Sequence, residues 1–83
     1  MNKLIMELYF PQTRTSYDLK VPEHITIGEL KYVVVQMLEK ITEKQFYQDG
    51  EYMLIYYDTN EILDDQKFIY ETPLKNGSKV LLI

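Results

Sequence analysis

Eighty-three residues carrying a formal net charge of −4 are enough for one small domain with a single core, and the nine basic residues are too scattered to track a phosphate backbone. The absence of cysteine excludes disulfides, iron–sulfur ligation and thiol catalysis. No stretch is apolar enough to span a bilayer or reads as a signal peptide, so a cytoplasmic setting without nucleic acid or direct membrane insertion is expected.

Leu4, Met6, Leu8 and Phe10 alternate with Lys3, Ile5, Glu7 and Tyr9, which predicts a strand over residues 3–10. The polar run from Pro11 to Thr15 breaks the alternation and reads as a hairpin connection. Alternation resumes from Ser16 to Val21, with Tyr17, Leu19 and Val21 on one face and Asp18 and Lys20 on the other. Pro22 is expected to end this second strand, because it has no N–H for a ladder.

Thr26-Ile27-Gly28-Glu29 fits a capping box, with Thr26 as N-cap and Glu29 reaching back to its amide. The helix that follows is expected to run to about Glu39 or Ile41. Ile27, Leu30, Val34, Met37 and Leu38 fall on its apolar side, with Val33 and Ile41 at the margins. The run Val33-Val34-Val35 taken locally favours a strand, but the cap and the spacing favour the helix. Thr42 to Glu51 is polar, contains Asp49-Gly50 and reads as a connecting loop.

Tyr52 to Tyr57 predicts a third strand, Asp58-Thr59-Asn60 a turn, and Glu61-Ile62-Leu63 a short fourth strand. Asp64 to Pro73 is expected to form an irregular crossover that anchors Phe68, Ile69 or Tyr70 in the core. Asn76-Gly77 supplies a tight turn into a last strand, Lys79 to Ile83. No internal repeat or linker interrupts residues 1–83, so a single domain is expected. The order of hairpin, helix, two short strands, crossover and final strand is that of the β-grasp, an α+β fold with a mixed sheet packed on one main helix.

Within that order, three stretches carry a closer resemblance: Tyr17-Asp18-Leu19-Lys20-Val21-Pro22, the helix start at Thr26-Ile27, and the ending Leu74-Lys75-Asn76-Gly77-Ser78-Lys79-Val80-Leu81-Leu82-Ile83. Together they resemble the YukD/EsaB family, small ubiquitin-like proteins of the type VII (WXG100/ESX-like) secretion systems of Gram-positive bacteria. The resemblance covers nearly the whole chain and departs from the family in the loop from Thr42 to Glu51. It implies an accessory or regulatory role. The implied partner is a cytosolic part of the secretion machinery or a regulator, which would recruit the protein to the inner face of the membrane.

Ubiquitin-type modifiers and sulfur carriers of this shape use a flexible extension ending in Gly-Gly. The sequence ends instead within an apolar strand at Ile83. Non-covalent binding is therefore expected, ahead of a covalent modifier or sulfur carrier. A self-associating structural module, using edge strands or an apolar face, is the remaining alternative.

Catalytic chemistry finds little support. His24, the only histidine, follows Pro22-Glu23 in a loop and reads as an ordinary loop residue. Asp58, Glu61, Asp64 and Asp65 lack the spacing of a calcium loop and read as turn and surface residues. Ser16 and Ser78 have no accompanying base, and Gly28, Gly50 and Gly77 are isolated. No catalytic, cofactor-binding or metal site is expected.

The eight tyrosines either replace other aromatics in a chain without tryptophan or contribute to a contact surface. The last strand is more informative. If Val80 and Leu82 face the helix, Leu81 and Ile83 turn outward. In the third strand Leu54 and Tyr56 face inward, leaving Met53, Ile55 and Tyr57 outside. Antiparallel pairing then brings Ile55 close to Leu81 and Ile83. The candidate protein-binding face is Ile55, Tyr57, Leu81 and Ile83. The competing reading is that Lys79 and the terminal carboxylate keep the strand solvated and the cluster is incidental.

Overall fold

The computed structural model describes residues 3–43 and 52–83 of the chain. Strands β1 (Lys3–Phe10) and β2 (Thr15–Pro22) form the expected antiparallel hairpin, in register from Lys3 opposite Pro22 to Phe10 opposite Thr15. Met6, Leu8 and Phe10 point into the core and are essentially inaccessible. Pro22 is the last residue of β2 and does not stand beyond it. The backbone parity explains why. Glu7 N–H donates to Ser78 O and Gly77 N–H donates to Ile5 O, so the odd residues of β1 bond toward the final strand. The even residues of β1 therefore bond the odd residues of β2, and Pro22 occupies a place where no N–H is asked of it.

The helix α1 (Ile27–Thr42) starts on the capping box: Glu29 N–H donates to Thr26 Oγ1 at 3.1 Å, and Thr26 N–H donates to Glu29 Oε1 at 3.0 Å. Ile27 N–H and Gly28 N–H donate to Lys67 O and Asp65 O, so the crossover satisfies the other amides of the first turn. The helix runs slightly past the expected end and stops at Glu43, whose φ of 56° is left-handed. The rest of the expected loop, residues 44–51, lies outside the described residues.

The buried stripe of α1 is Ile27, Leu30, Val34, Val35 and Leu38. It is rotated toward Val35 from the expected stripe, which leaves Met37 partly buried and Val33 and Ile41 more than half exposed. Neighbouring residues on a helix stand about 100° apart, so Val33 and Val35 cannot both flank Val34 inside the core. Burial of Val34 and Val35 outweighs the weak strand preference of the valine run.

Strands β3 (Leu54–Tyr56), β4 (Glu61–Ile62) and β5 (Lys79–Leu82) complete a five-stranded sheet in the order β2-β1-β5-β3-β4. The β1–β5 pair is parallel and the others are antiparallel. β3, β4 and β5 are shorter than predicted, although backbone bonds continue past their ends. Met53 and Ile83 exchange two hydrogen bonds, and Tyr57 N–H donates to Lys79 O. Leu63, expected in β4, sits just beyond it and is buried.

The crossover contains a short 3-10 turn (Ile69–Glu71). Of the three candidate anchors only Ile69 enters the core, held by its N–H donating to Ile25 O. Phe68 and Tyr70 stack on each other at the surface, with ring centroids 5.3 Å apart. Gly77 carries the positive φ of 87° that the last turn requires. Asn76 in the same turn accepts the Ile5 N–H on its side-chain oxygen at 2.9 Å. The core lies between one face of the sheet and α1, and among the described residues no helix or strand covers the other sheet face. Among the described residues no helix is long and apolar enough to cross a membrane.

Candidate protein-binding face

Leu54, Tyr56, Val80 and Leu82 are buried against the helix, so the residues between them must point to the open face. Ile55 stands opposite Leu81 on one side and opposite Ile62 on the other. Leu81 in turn stands opposite Tyr9 on β1. Four strands thus contribute a continuous row, Tyr9–Leu81–Ile55–Ile62, with no charged residue in it. Leu81 and Ile55 are only partly accessible because each is flanked on both sides, whereas Ile62 on the edge is 59% exposed.

Met53 and Ile83 extend the apolar surface at one end, 41% and 46% exposed, and their mutual backbone bonds pin the strand end. At the other end Lys79 Nζ lies 4.5 Å from the centre of the Tyr57 ring and 5.2 Å from that of Tyr9. This places the ammonium on the electron-rich faces of two rings at the rim of the row. Lys79 therefore borders the apolar row and does not divide it.

All four candidate residues fall on this face. Ile55 and Leu81 form its centre, Ile83 follows along β5, and Tyr57 marks the Lys79 end. Sequence reasoning missed Tyr9 and Ile62. The outward position of Tyr9 was legible from alternation in β1, but its neighbour Leu81 follows only from the parallel β1–β5 register. Ile62 belongs to a strand of two residues, too short for any periodicity to orient.

Three of the acidic residues of the β3–β4 region, Asp58, Asp64 and Asp65, are occupied locally. Tyr56 OH donates to Asp58, Asp64 accepts the Gln66 N–H, and Asp65 forms an ion pair with Lys31 at 2.8 Å. Among the described residues no three His, Asp or Glu side chains converge as a metal site. Ser78 is buried and its Oγ accepts the Lys75 N–H, a turn-forming role. Among the described residues, Glu29 is a carboxyl with a perturbed environment. Hydrogen bonds from the Thr26 backbone N–H and then the Thr26 hydroxyl hold it below the ordinary glutamate value, and His24 adds a smaller electrostatic contribution.

Solved structures share this architecture along the whole chain. Ubiquitin from Caldiarchaeum subterraneum superposes with a TM-score of 0.78 at 18% identity, over 99% of this chain and 92% of that one. The fold is ubiquitin-like. A ubiquitin-like domain of an Arabidopsis thaliana protein gives a TM-score of 0.74 at 18% identity, over 100% and 78% of the two chains. ATBAG1, solved in complex with HSP70, gives 0.69 at 20% identity, over 96% of this chain and 39% of that longer one. No family model and no curated protein matches the sequence. In the ubiquitin-like frame, the apolar row occupies the side of the sheet that the helix leaves uncovered.

Proposed function

We propose that this ubiquitin-like protein is a non-enzymatic, single-domain binding module that docks non-covalently on a protein partner through the open face of its sheet. The observation that carries this reading is the uncharged row Tyr9–Leu81–Ile55–Ile62 on a small, acidic chain. Contiguous apolar surface with an aromatic rim is what protein interfaces bury. ATBAG1, 39% of whose chain superposes on this one, was solved in complex with HSP70.

The resemblance of Tyr17 to Pro22 and Leu74 to Ile83 to the YukD/EsaB family supports a more specific role: an accessory or regulatory protein of a bacterial type VII secretion system. Its partner is then a cytosolic part of the secretion machinery or a regulator. That partner holds the protein at the inner face of the membrane without its entering the bilayer.

Affinity capture from the native bacterium, with wild type and Ile55→Glu and a mass-spectrometric readout, tests both levels. Secretion components recovered by wild type alone support the reading and locate the face. Equal recovery by the folded variant rules the face out. Covalent adducts of the protein on many targets would replace docking with a modifier function.

A further inference from the structure

The two edges of the sheet are unequal. The β4 edge has two residues, too short to template another strand, whereas the β2 edge has eight. Because odd residues of β2 bond β1, the even residues Ser16, Asp18 and Lys20 direct both N–H and C=O outward. Pro22 directs only a carbonyl outward.

Among the described residues, Asp18 and Lys20 on this edge have no ion-pair partner. Asp18 stands opposite Glu7 across the hairpin, a like-charged neighbour, and Lys20 stands opposite Ile5. Neither takes part in the ion pair found among the described residues, which joins Lys31 and Asp65. On the inner face Tyr17 and Leu19 of β2 are only partly buried, while their β1 neighbours Leu8 and Met6 are fully covered.

From these features we infer that β2 pairs with β2 of a second copy of the chain, antiparallel about Leu19, joining two sheets into one. Four registers place outward-bonding residues opposite each other near the strand centre. Centring on Tyr17 sets Asp18 against Ser16 and carries Lys20 past the end of the second strand. Centring on Asp18 sets Asp18 against itself, and centring on Lys20 sets Lys20 against itself. Centring on Leu19 sets Asp18 opposite Lys20 of the second copy, and the two-fold axis repeats the pair. This register also sets Ser16 N–H opposite the carbonyl of Pro22 of the second copy, so the missing proline N–H leaves that donor satisfied. On the inner face Tyr17 meets Val21 of the second copy and the two Leu19 side chains meet each other, covering the surface β2 leaves partly open. The edge is self-complementary in charge, backbone and apolar surface at one register, so the occupant it fits is a copy of itself.

Sedimentation velocity of the full chain over a concentration series tests the assignment, with circular dichroism to verify folding of each variant. Both positions are exposed, so the fold is retained. Wild type is expected to show a monomer–dimer equilibrium. Asp18→Lys and Lys20→Asp, each alone, juxtapose like charges and weaken self-association by about tenfold or more. An equimolar mixture of the two variants restores dimers, because each introduced charge then faces its opposite. Ile55→Glu leaves the dimer intact, which separates this contact from the docking face. A wild type monomeric at every concentration overturns the proposal. So does a dimer indifferent to the single reversals, a mixture that fails to recover, or a dimer lost in Ile55→Glu.

Discussion

Ile55 lies directly opposite Leu81 across the β3–β5 ladder, and this pairing decides what the uncovered side of the sheet presents. A shift of one residue in β3 would send Ile55 into the core and bring Leu54 out, and the same shift in β5 would exchange Leu81 for Leu82. The face is thus a consequence of the same alternation that fills the interior.

Ile55→Glu and Ile62→Glu are expected to abolish partner capture alike, since the two residues are cross-strand neighbours. Ile62 is on an exposed edge, so its replacement should alter stability by only about 0.5 kcal/mol. Val33→Glu, on the exposed side of the helix, should retain capture. Capture assays paired with thermal melts check all three; loss of binding in the Val33 variant would move the site to the helix.

Thr26→Ala removes the hydroxyl that receives the Glu29 N–H and should destabilise the protein by about 1 kcal/mol. For a domain of this size that corresponds to a fall in Tm of about 4–8 °C. Thr26→Ser, which keeps the acceptor, should recover most of it in the same calorimetric series.

Glu29 contributes a pH dependence of defined sign. Its native pKa is lowered, so the folded chain releases this proton more readily than the unfolded chain. The associated stability is present above the ordinary glutamate pKa and is lost as pH falls through the lowered native value. The stability gap between wild type and Glu29→Gln should therefore narrow in that acidic window. Carboxyl-resolved NMR titration should place Glu29 below the ordinary glutamate range; a midpoint at or above it would refute the capping argument.

Within the crossover, Ile69→Ala should cost about 2–5 kcal/mol, because its side chain is fully buried and leaves a cavity. Phe68→Ala and Tyr70→Ala should each cost less than Ile69→Ala, since Phe68 is 37% and Tyr70 62% exposed in the stacked pair. Urea denaturation distinguishes them, and equal costs would contradict the assignment of Ile69 as anchor.

Much of this architecture was legible in the sequence. Alternation in β1 and β2 reported burial directly, and Thr26 with Glu29 marked the helix start because a capping box has few other uses. Less legible were features set by tertiary geometry. The rotation of the buried stripe toward Val35 depends on how α1 sits against the sheet. The choice of Ile69 over Phe68 and Tyr70 depends on a backbone bond to Ile25, far away in sequence. The same holds for the candidate face: Ile55, Tyr57, Leu81 and Ile83 followed from alternation, whereas adding Tyr9 and Ile62 required the ladder registers.

The parallel pairing of β1 with β5 bears on the order of events during synthesis. The strand made last lies in the middle of the sheet, between the strand made first and β3. Until Lys79–Leu82 has left the ribosome, β1 and β3 have no common neighbour and the core lacks Val80 and Leu82. Contacts that span nearly the whole chain are slow to close. Folding on the ribosome is therefore gated by completion of β5, and nascent chains stalled before residue 79 should remain protease-sensitive beyond the hairpin.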